Sequence, residues 1–478
     1  MTQTRTGGPG EGALRVPGRT VRAAGAVVPR AAAPAGAAPV AARLRASAAT
    51  EPGRLRVIGA VLALLVVAFG AVTAWQVAER RAAAGNVLDH SAPLSASAAE
   101  IYRSLADADA TVAGGFLVGG EEPADVRTRY DQDISRAANL ITQAAASSAG
   151  SQEARTQIAA LNSQLPTYTG LVADAQADNR QGLPLGGAYL RYADQQMRKQ
   201  GGLLDAADRL YRAENARLGA DYSDAKALPY AAWALGVVAL AALVWAQRRH
   251  FRRTNRVFNR GLLAATGACA VVLLWLVVGH TVARGDLDDS YGHGAKSAQV
   301  LNNARIAVLQ ARGDENLTLV ARGSGDAYEQ TFRAGMDRLA GTDPHGTGGE
   351  LAQALALADK PAGRAPVESA AAAVRQWRER HTAERAADDG GDYTTAVAQV
   401  IGGKDSKGDQ VAQTTGQSFQ TVDTQLGRAV DQELAEFRSA AGNGRDALAV
   451  LPYGAGLLAA FAAGAAMVGI GRRLAEYR

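Results

Sequence analysis

The sequence predicts an all-α integral membrane protein with four transmembrane helices and two tandem extracytoplasmic antiparallel four-helix bundles. Three observations carry that expectation. Four uncharged apolar stretches, 57–78, 227–247, 261–283 and 447–471, each exceed the roughly 18–20 residues needed to cross about 30 Å of hydrocarbon at about 1.5 Å per residue. Two long polar segments, 79–226 and 284–446, keep their apolar residues at helical spacing with hardly any strand-like alternation. Arginines crowd the short segments between and outside the spans, while the long segments are acidic.

Residues 1–56 read as a disordered, Arg-rich cytoplasmic tail: Ala, Gly, Pro and Arg dominate, with nine arginines against Glu11 and Glu51 and no sustained apolar run. Span 57–78 follows without a convincing cleavage site, so it is expected to stay as a signal anchor. The loop 248–260 holds six arginines and no acid, and the stub 472–478 adds Arg472, Arg473 and Arg478. By the positive-inside rule these three pieces face the cytoplasm. Residues 82–226 carry 13 basic and 18 acidic side chains, a net of −5, and residues 284–446 carry 18 and 24, a net of −6, so both face outward. The basic pI therefore belongs to anchors beside anionic headgroups of the lipid membrane, not to nucleic-acid binding. Cys269, the single cysteine, lies within a span, so the outer segments hold together without disulfides.

Within the first polar segment Ile101, Leu105, Ala108, Val112 and Phe116 step by four and three, and punctuation at 119–123, 147–151 and 181–187 leaves four helical pieces. In the second, Phe419, Val422, Leu426 and Ala429 form the same kind of seam. The chain also repeats. Leu117, Val118, Tyr130, Ile134 and Arg136 match Leu319, Val320, Phe332, Met336 and Arg338 at an offset of 202, and Leu228-Pro229-Tyr230 matches Leu451-Pro452-Tyr453 at 223. The difference of 21 residues is expected as insertions near Gly341–Gly349 and Gly402–Gly408.

Pro229 and Pro452 enter their spans where a lost backbone donor would kink a rod, which makes them candidate hinges, with interfacial anchoring by the adjacent tyrosines as the other reading. Arg103 and Arg305, also 202 apart, are candidate contacts for a ligand carboxylate or a partner. Arg248, Arg249, Arg252 and Arg253 are the candidate cytoplasmic docking residues. The stripe Gly456, Ala460 and Gly464 is expected at a helix–helix contact in the membrane. Catalytic motifs are missing: the six histidines are dispersed without a pair at metal-ligand spacing, and Gly323-Ser-Gly325 and Gly402–Gly408 match neither a nucleophile elbow nor a phosphate loop. Asp286, Asp288 and Asp289, and Asp388, Asp389 and Asp392, lack calcium-loop order and are expected as solvated helix ends. No enzyme, cofactor or metal is expected. Transport fits poorly too, since His280 and Cys269 are the only titratable groups besides tyrosine in the spans. Outer bundles running into the bilayer, with only short cytoplasmic pieces, favour a sensor whose output passes to a separate protein, and a homodimer is compatible with that design.

The 45 arginines against six lysines point to a GC-rich source. With the twofold layout of basic piece, span, polar bundle and span, the chain resembles the actinobacterial GlnX-type membrane proteins. That resemblance covers 54–478 by architecture, without a residue signature. It implies a relay: a solute-binding lipoprotein outside reports glutamine or an acidic amino acid, and a soluble kinase of the protein kinase G type receives the signal inside. Each polar segment also resembles, more distantly, the four-helix ligand-binding domains of chemoreceptors, but this chain lacks their attached signalling domains. The alternative reading is a non-catalytic membrane scaffold or transporter accessory subunit.

Overall fold

The computed structural model describes residues 51–120, 122–147, 151–183, 185–254, 259–343, 348–358 and 360–475. Most of the Arg-rich tail, loop residues 255–258 and stub residues 476–478 thus lie outside the described residues, as do 344–347 of the expected insertion.

The first long helix, α1 (Glu51–Asn86), passes through a π-helical turn (Val87–Ser91) into α2 (Ala92–Val118) without a break. Pro93, two residues past the turn, has no N–H to give the preceding turn, and the helix widens there instead of ending. The polar segment continues as α3 (Ala124–Ser147), α4 (Gln152–Arg180), α5 (Leu185–Arg198) and α6 (Leu203–Lys226). The fourth helical piece read from the sequence is therefore two helices. Gly201 adopts a left-handed φ of 75°, and a Cβ at Gly202 would stand 2.6 Å from the Gln196 carbonyl, so the glycine pair ends one helix and starts another.

The second half follows the same order. Helix α7 (Tyr230–Thr254) is followed by α8 (Arg260–Asp289), a second π turn (Ser290–Ala295) and α9 (Lys296–Val320). Then come α10 (Asp326–Ala340), α11 (Gly349–Leu357), α12 (Pro361–Asp389), α13 (Tyr393–Ile401), α14 (Thr415–Ala447) and α15 (Leu451–Ala475). Between α13 and α14 a short antiparallel hairpin pairs Gly403 with Val411 and Lys404 with Gln410, the only strands among the described residues. Helix α11 and this hairpin have no counterpart among the described elements of the first half. Helix α14 starts on a capping box, Thr414 accepting from Gln417 N while the Gln417 side chain reaches back.

Four helices are long and apolar enough to cross a membrane, and they bear the expected spans. Their outward faces expose Val61, Leu64, Val237, Leu274, Leu457 and Phe461, a ring of apolar side chains that suits lipid and not water. Inside, backbones approach closely: a Cβ on Gly70 would overlap the Ala459 Cβ, and one on Gly261 would stand 2.4 Å from the Ala465 carbonyl. The expected stripe Gly456, Ala460 and Gly464 is not that contact. Gly456 and Ala460 are exposed, nothing lies within 4 Å of a Cβ built on Gly456 or Gly464, and the buried face is Ala455, Ala459, Ala462 and Ala466. Small residues surround this helix, so its composition allows several close faces, and its neighbours Trp275 and Gly70 select one.

The two polar segments do not build separate cores. From Arg56 onward the chain is one compact unit. Helix α2 packs along α9, and one cluster of buried residues takes Ile101, Leu105 and Val112 from the first segment and Leu301, Val308 and Trp377 from the second. The continuous rods expected at every membrane entry are present in only half the cases. Helices α1–α2 and α8–α9 run through, whereas 227–229 and 448–450 interrupt the returns into α7 and α15. Pro229 sits inside the first interruption and Pro452 at the second residue of α15. Proline disfavours helical backbone at the residue before it, and the carbonyl freed at Ala227 accepts from Arg80 Nε at 2.9 Å.

Candidate functional site

The junction between α2 and α9 concentrates charge where packing favours apolar groups. Arg198, at the end of α5, holds three carboxylates: Asp109 of α2 at 3.4 Å, Asp194 of its own helix at 2.7 Å and Asp314 of α9 at 2.5 Å. Tyr168 donates to Asp109 and Tyr328 of α10 donates to Asp194. One guanidinium thereby ties the first polar segment to the second. Gly313 makes room for it, since a Cβ there would lie 2.4 Å from Arg198 Nη2. Beside the clasp Asn316 donates to the Ala110 carbonyl at 3.0 Å, and Gln310 donates to Tyr102 at 2.6 Å. Three buried acids on one cation leave a surplus of negative charge. Burial and repulsion from Asp194 push Asp109 up to about 7, and burial, against the pull of Arg198, raises Asp314 to about 6.

Clefts flank the α2–α9 pair. One of about 550 Å³ is lined by Tyr102, Arg198, Asp208 and Tyr211 from the first segment and Gln310, Arg338 and Glu350 from the second. The other, about 690 Å³, lies between Asp107, Thr111, Gly115 and Arg129 on one side and Arg312, Asn316 and Gln417 on the other. The last helix of one segment and the second helix of the other wall each cleft.

Arg103 and Arg305 lie in this junction, both largely buried and both ion-paired within the chain. Arg103 binds Glu100 at 2.6 Å and reaches Asp107 at 3.5 Å, while Arg305 binds Asp423 of α14 at 3.0 Å. Glu100 also takes Arg136 at 3.1 Å; burial would raise this carboxyl, but the Arg103 hydrogen bond and the surrounding guanidiniums hold it below its ordinary value. Arg129 closes the group by a 2.8 Å pair with Asp107.

Below the clasp, where both π turns meet α6 and α14, a small core of Val87, Leu218, Tyr222, Leu287 and Phe437 gathers all the helices that lead to the spans. Tyr222 and Ser290 hydroxyls are 2.6 Å apart, and Ser290 donates onward to the Phe437 carbonyl at 3.1 Å. Lys226 pairs with Asp288 at 2.8 Å and lies over the Tyr291 ring. Gly294 admits α14 so closely that a Cβ there would stand 2.7 Å from Phe437 Cβ.

At the opposite end of the spans α7 stays helical to Thr254, past the expected end at Gln247. Arg248 and Arg252 are exposed on its last turns, Arg249 lies over the Trp245 ring at 5.4 Å, and the Arg253 side chain is outside the described residues. Of the acid clusters, Asp392 caps α13 by accepting from Thr395 N, and Asp388 and Asp389 pair with Arg385.

The buried charges of the second segment were missed because they sit at core positions of otherwise apolar seams. On α9 Leu301, Ala304, Val308 and Ala311 continue into Glu315, and on α12 Val367, Ala370, Val374 and Trp377 continue into His381 and Glu384. A charged residue in register with a buried seam is a readable signal, whereas its partner on a distant helix is not.

The described residues form a helical body with four helices long and apolar enough to cross a membrane, and with charged groups and clefts at its internal junction. Residues 83–223, from the last turn of α1 to the end of α6, match the family model of an actinobacterial sensor domain. That match supports a sensing or signalling role for the first polar segment. No curated protein and no solved structure matches the chain.

Proposed function

We propose that the protein is a four-span signal transducer in which a stimulus at the outer junction alters how α2 packs against α9. The observation that carries this reading is the Arg198 clasp, which joins the two halves on helices continuous with α1 and α8. A shift there travels about 27 Å along α2 to the π turn, at about 1.5 Å per residue, before reaching the span. Any stimulus must bind the two packings with different affinity to move them.

The finer reading follows the resemblance to GlnX-type proteins. The acidic polar segments face outward and the Arg-rich ends face the cytoplasm. A solute-binding lipoprotein reports amino-acid availability by docking at the junction, and a soluble kinase receives the change inside. Similar element order in the two halves supports an internal duplication, and the α2–α9 pairing then supplies within one chain what a homodimer would supply between two.

The test uses cells that carry the intact chain, a variant with a Gly-Gly insertion in 87–91, or Arg198→Ala, with phosphorylation of the kinase's substrate followed after extracellular glutamate or glutamine is added. Both variants are expected to reach the membrane and lose the response. A normal response in both would leave the scaffold or transporter-accessory reading.

A further inference from the structure

We infer that Glu315, His381 and Glu384 form a binding site for one divalent first-row transition-metal ion in the core of the second polar segment. The residues face one another from two helices, Glu315 on α9 and the pair three apart on α12, and one ligand atom from each lies within 4.8 Å of the others. His381 Nδ1 stands 3.1 Å from Glu315 Oε1 and 3.2 Å from Glu384 Oε2. Nitrogen and oxygen ligands held tetrahedrally at about 2.0–2.1 Å from an ion are roughly 3.3 Å apart, so two edges of the polyhedron are already in place.

The surroundings are those of a prepared ligand set. His381 Nε2 faces Glu329 Oε2 at 3.0 Å, the outer carboxylate that keeps the proton on that nitrogen and turns Nδ1 toward the other two acids. Phe332 stacks on the imidazole at 3.8 Å. Glu315 is fixed by Trp377 Nε1 at 2.9 Å and by Arg312 at 2.6 Å. Glu384 is the independent observation: it is fully buried, and neither of its carboxylate oxygens has a hydrogen-bond partner, because Nδ1 is hydrogen-bonded to Glu315 and the Arg385 guanidinium stands off at 3.8 Å. A buried carboxyl in that position either holds a proton or meets a cation. One imidazole with two carboxylates suits Zn²⁺, Mn²⁺, Fe²⁺ or Co²⁺ better than the all-oxygen shells of Ca²⁺. All three ligands are buried, so the ion's role is to tie α9 to α12.

The experiment uses the full-length chain without a polyhistidine tag, purified in detergent, stripped with EDTA and titrated with Zn²⁺ or Co²⁺. The expected result is one equivalent retained per chain, visible Co²⁺ ligand-field bands and a higher melting temperature than in EDTA. Glu384→Gln, nearly isosteric, and His381→Ala should each weaken binding at least about tenfold. Failure of the stripped wild-type protein to take up an ion overturns the inference, as does uptake that ignores both substitutions. A Glu384→Gln variant that melts higher than wild type, with no metal effect in either, identifies the cluster as a proton-holding network and overturns it too.

Discussion

Replacing Asp109 with asparagine is expected to stabilise the protein above neutral pH and flatten its pH dependence. Asp109 is buried against Asp194, Tyr168 and Arg198, and burial followed by repulsion from Asp194 keeps its carboxyl at about 7. In the unfolded chain it titrates near 3.9. Because the folded value is raised, the folded protein holds this proton more tightly, and stability is lost as pH climbs from about 4 through about 7. A gap of about 3 pH units at about 1.36 kcal/mol each gives about 4 kcal/mol. Asparagine keeps the shape and an acceptor for Tyr168, and the attraction of Arg198 for the ionised carboxylate is already contained in the folded value. The gain is then on the order of 4 kcal/mol at about pH 8, vanishing at about pH 4. Thermal unfolding of the detergent-solubilised protein, followed by circular dichroism across that range, measures both slopes. An Asn variant with the wild-type slope, or one less stable at about pH 8, would refute the argument by showing that Asp109 is an ordinary ionised partner of Arg198.

Three further outcomes follow. Gly313→Ala places a Cβ 2.4 Å from Arg198 Nη2, so the clasp must shift at a cost of about 1–3 kcal/mol, read as a lower melting temperature that Ala at the open Gly170 position does not produce. Tyr222→Phe removes the hydroxyl that meets Ser290 at 2.6 Å; a loss of about 1 kcal/mol is expected, with faster amide exchange in residues 290–295 than elsewhere. Gly261→Leu drives a side chain into the Ala465 carbonyl, and thermal melting in nanodiscs should drop far more than for Gly267→Leu, which faces open space.

The spans and most helix limits were legible because apolarity, proline and glycine act locally. Even there, the Lys199–Gly202 break was read through, since a lone Gly201-Gly202 pair without proline was not counted with the punctuation at 119–123, 147–151 and 181–187. Residues brought together from distant helices were not legible. Arg103 and Arg305 were singled out by their matching offset, but their neighbours Glu100, Asp107 and Asp423 follow only from the packing of α2, α9 and α14. Likewise His381 was judged isolated by a search for histidine pairs, whereas its companions are glutamates, one of them 66 residues away in the chain.

The unequal entries into the spans impose a division of mechanical labour. Helices α1 and α8 continue unbroken from the polar segments, while the interruptions at 227–229 and 448–450 break the direct helical path into α7 and α15, which receive movement through their packing on neighbouring helices. In the proposed relay, displacement along these two shafts reaches the first turn of α1 and the Asn259–Arg260 start of α8. That start is gripped by Asn259 Nδ2 donating to the Gly469 carbonyl at 2.8 Å. Helix α7 is tied to these shafts from the side: Ala232 N donates to Gln76 of α1 at 3.0 Å, and Gln247, one residue before Arg248, donates to the Leu262 carbonyl of α8 at 3.1 Å, so in the proposed relay the arginines at its end take their movement from α1 and α8 and not from α6.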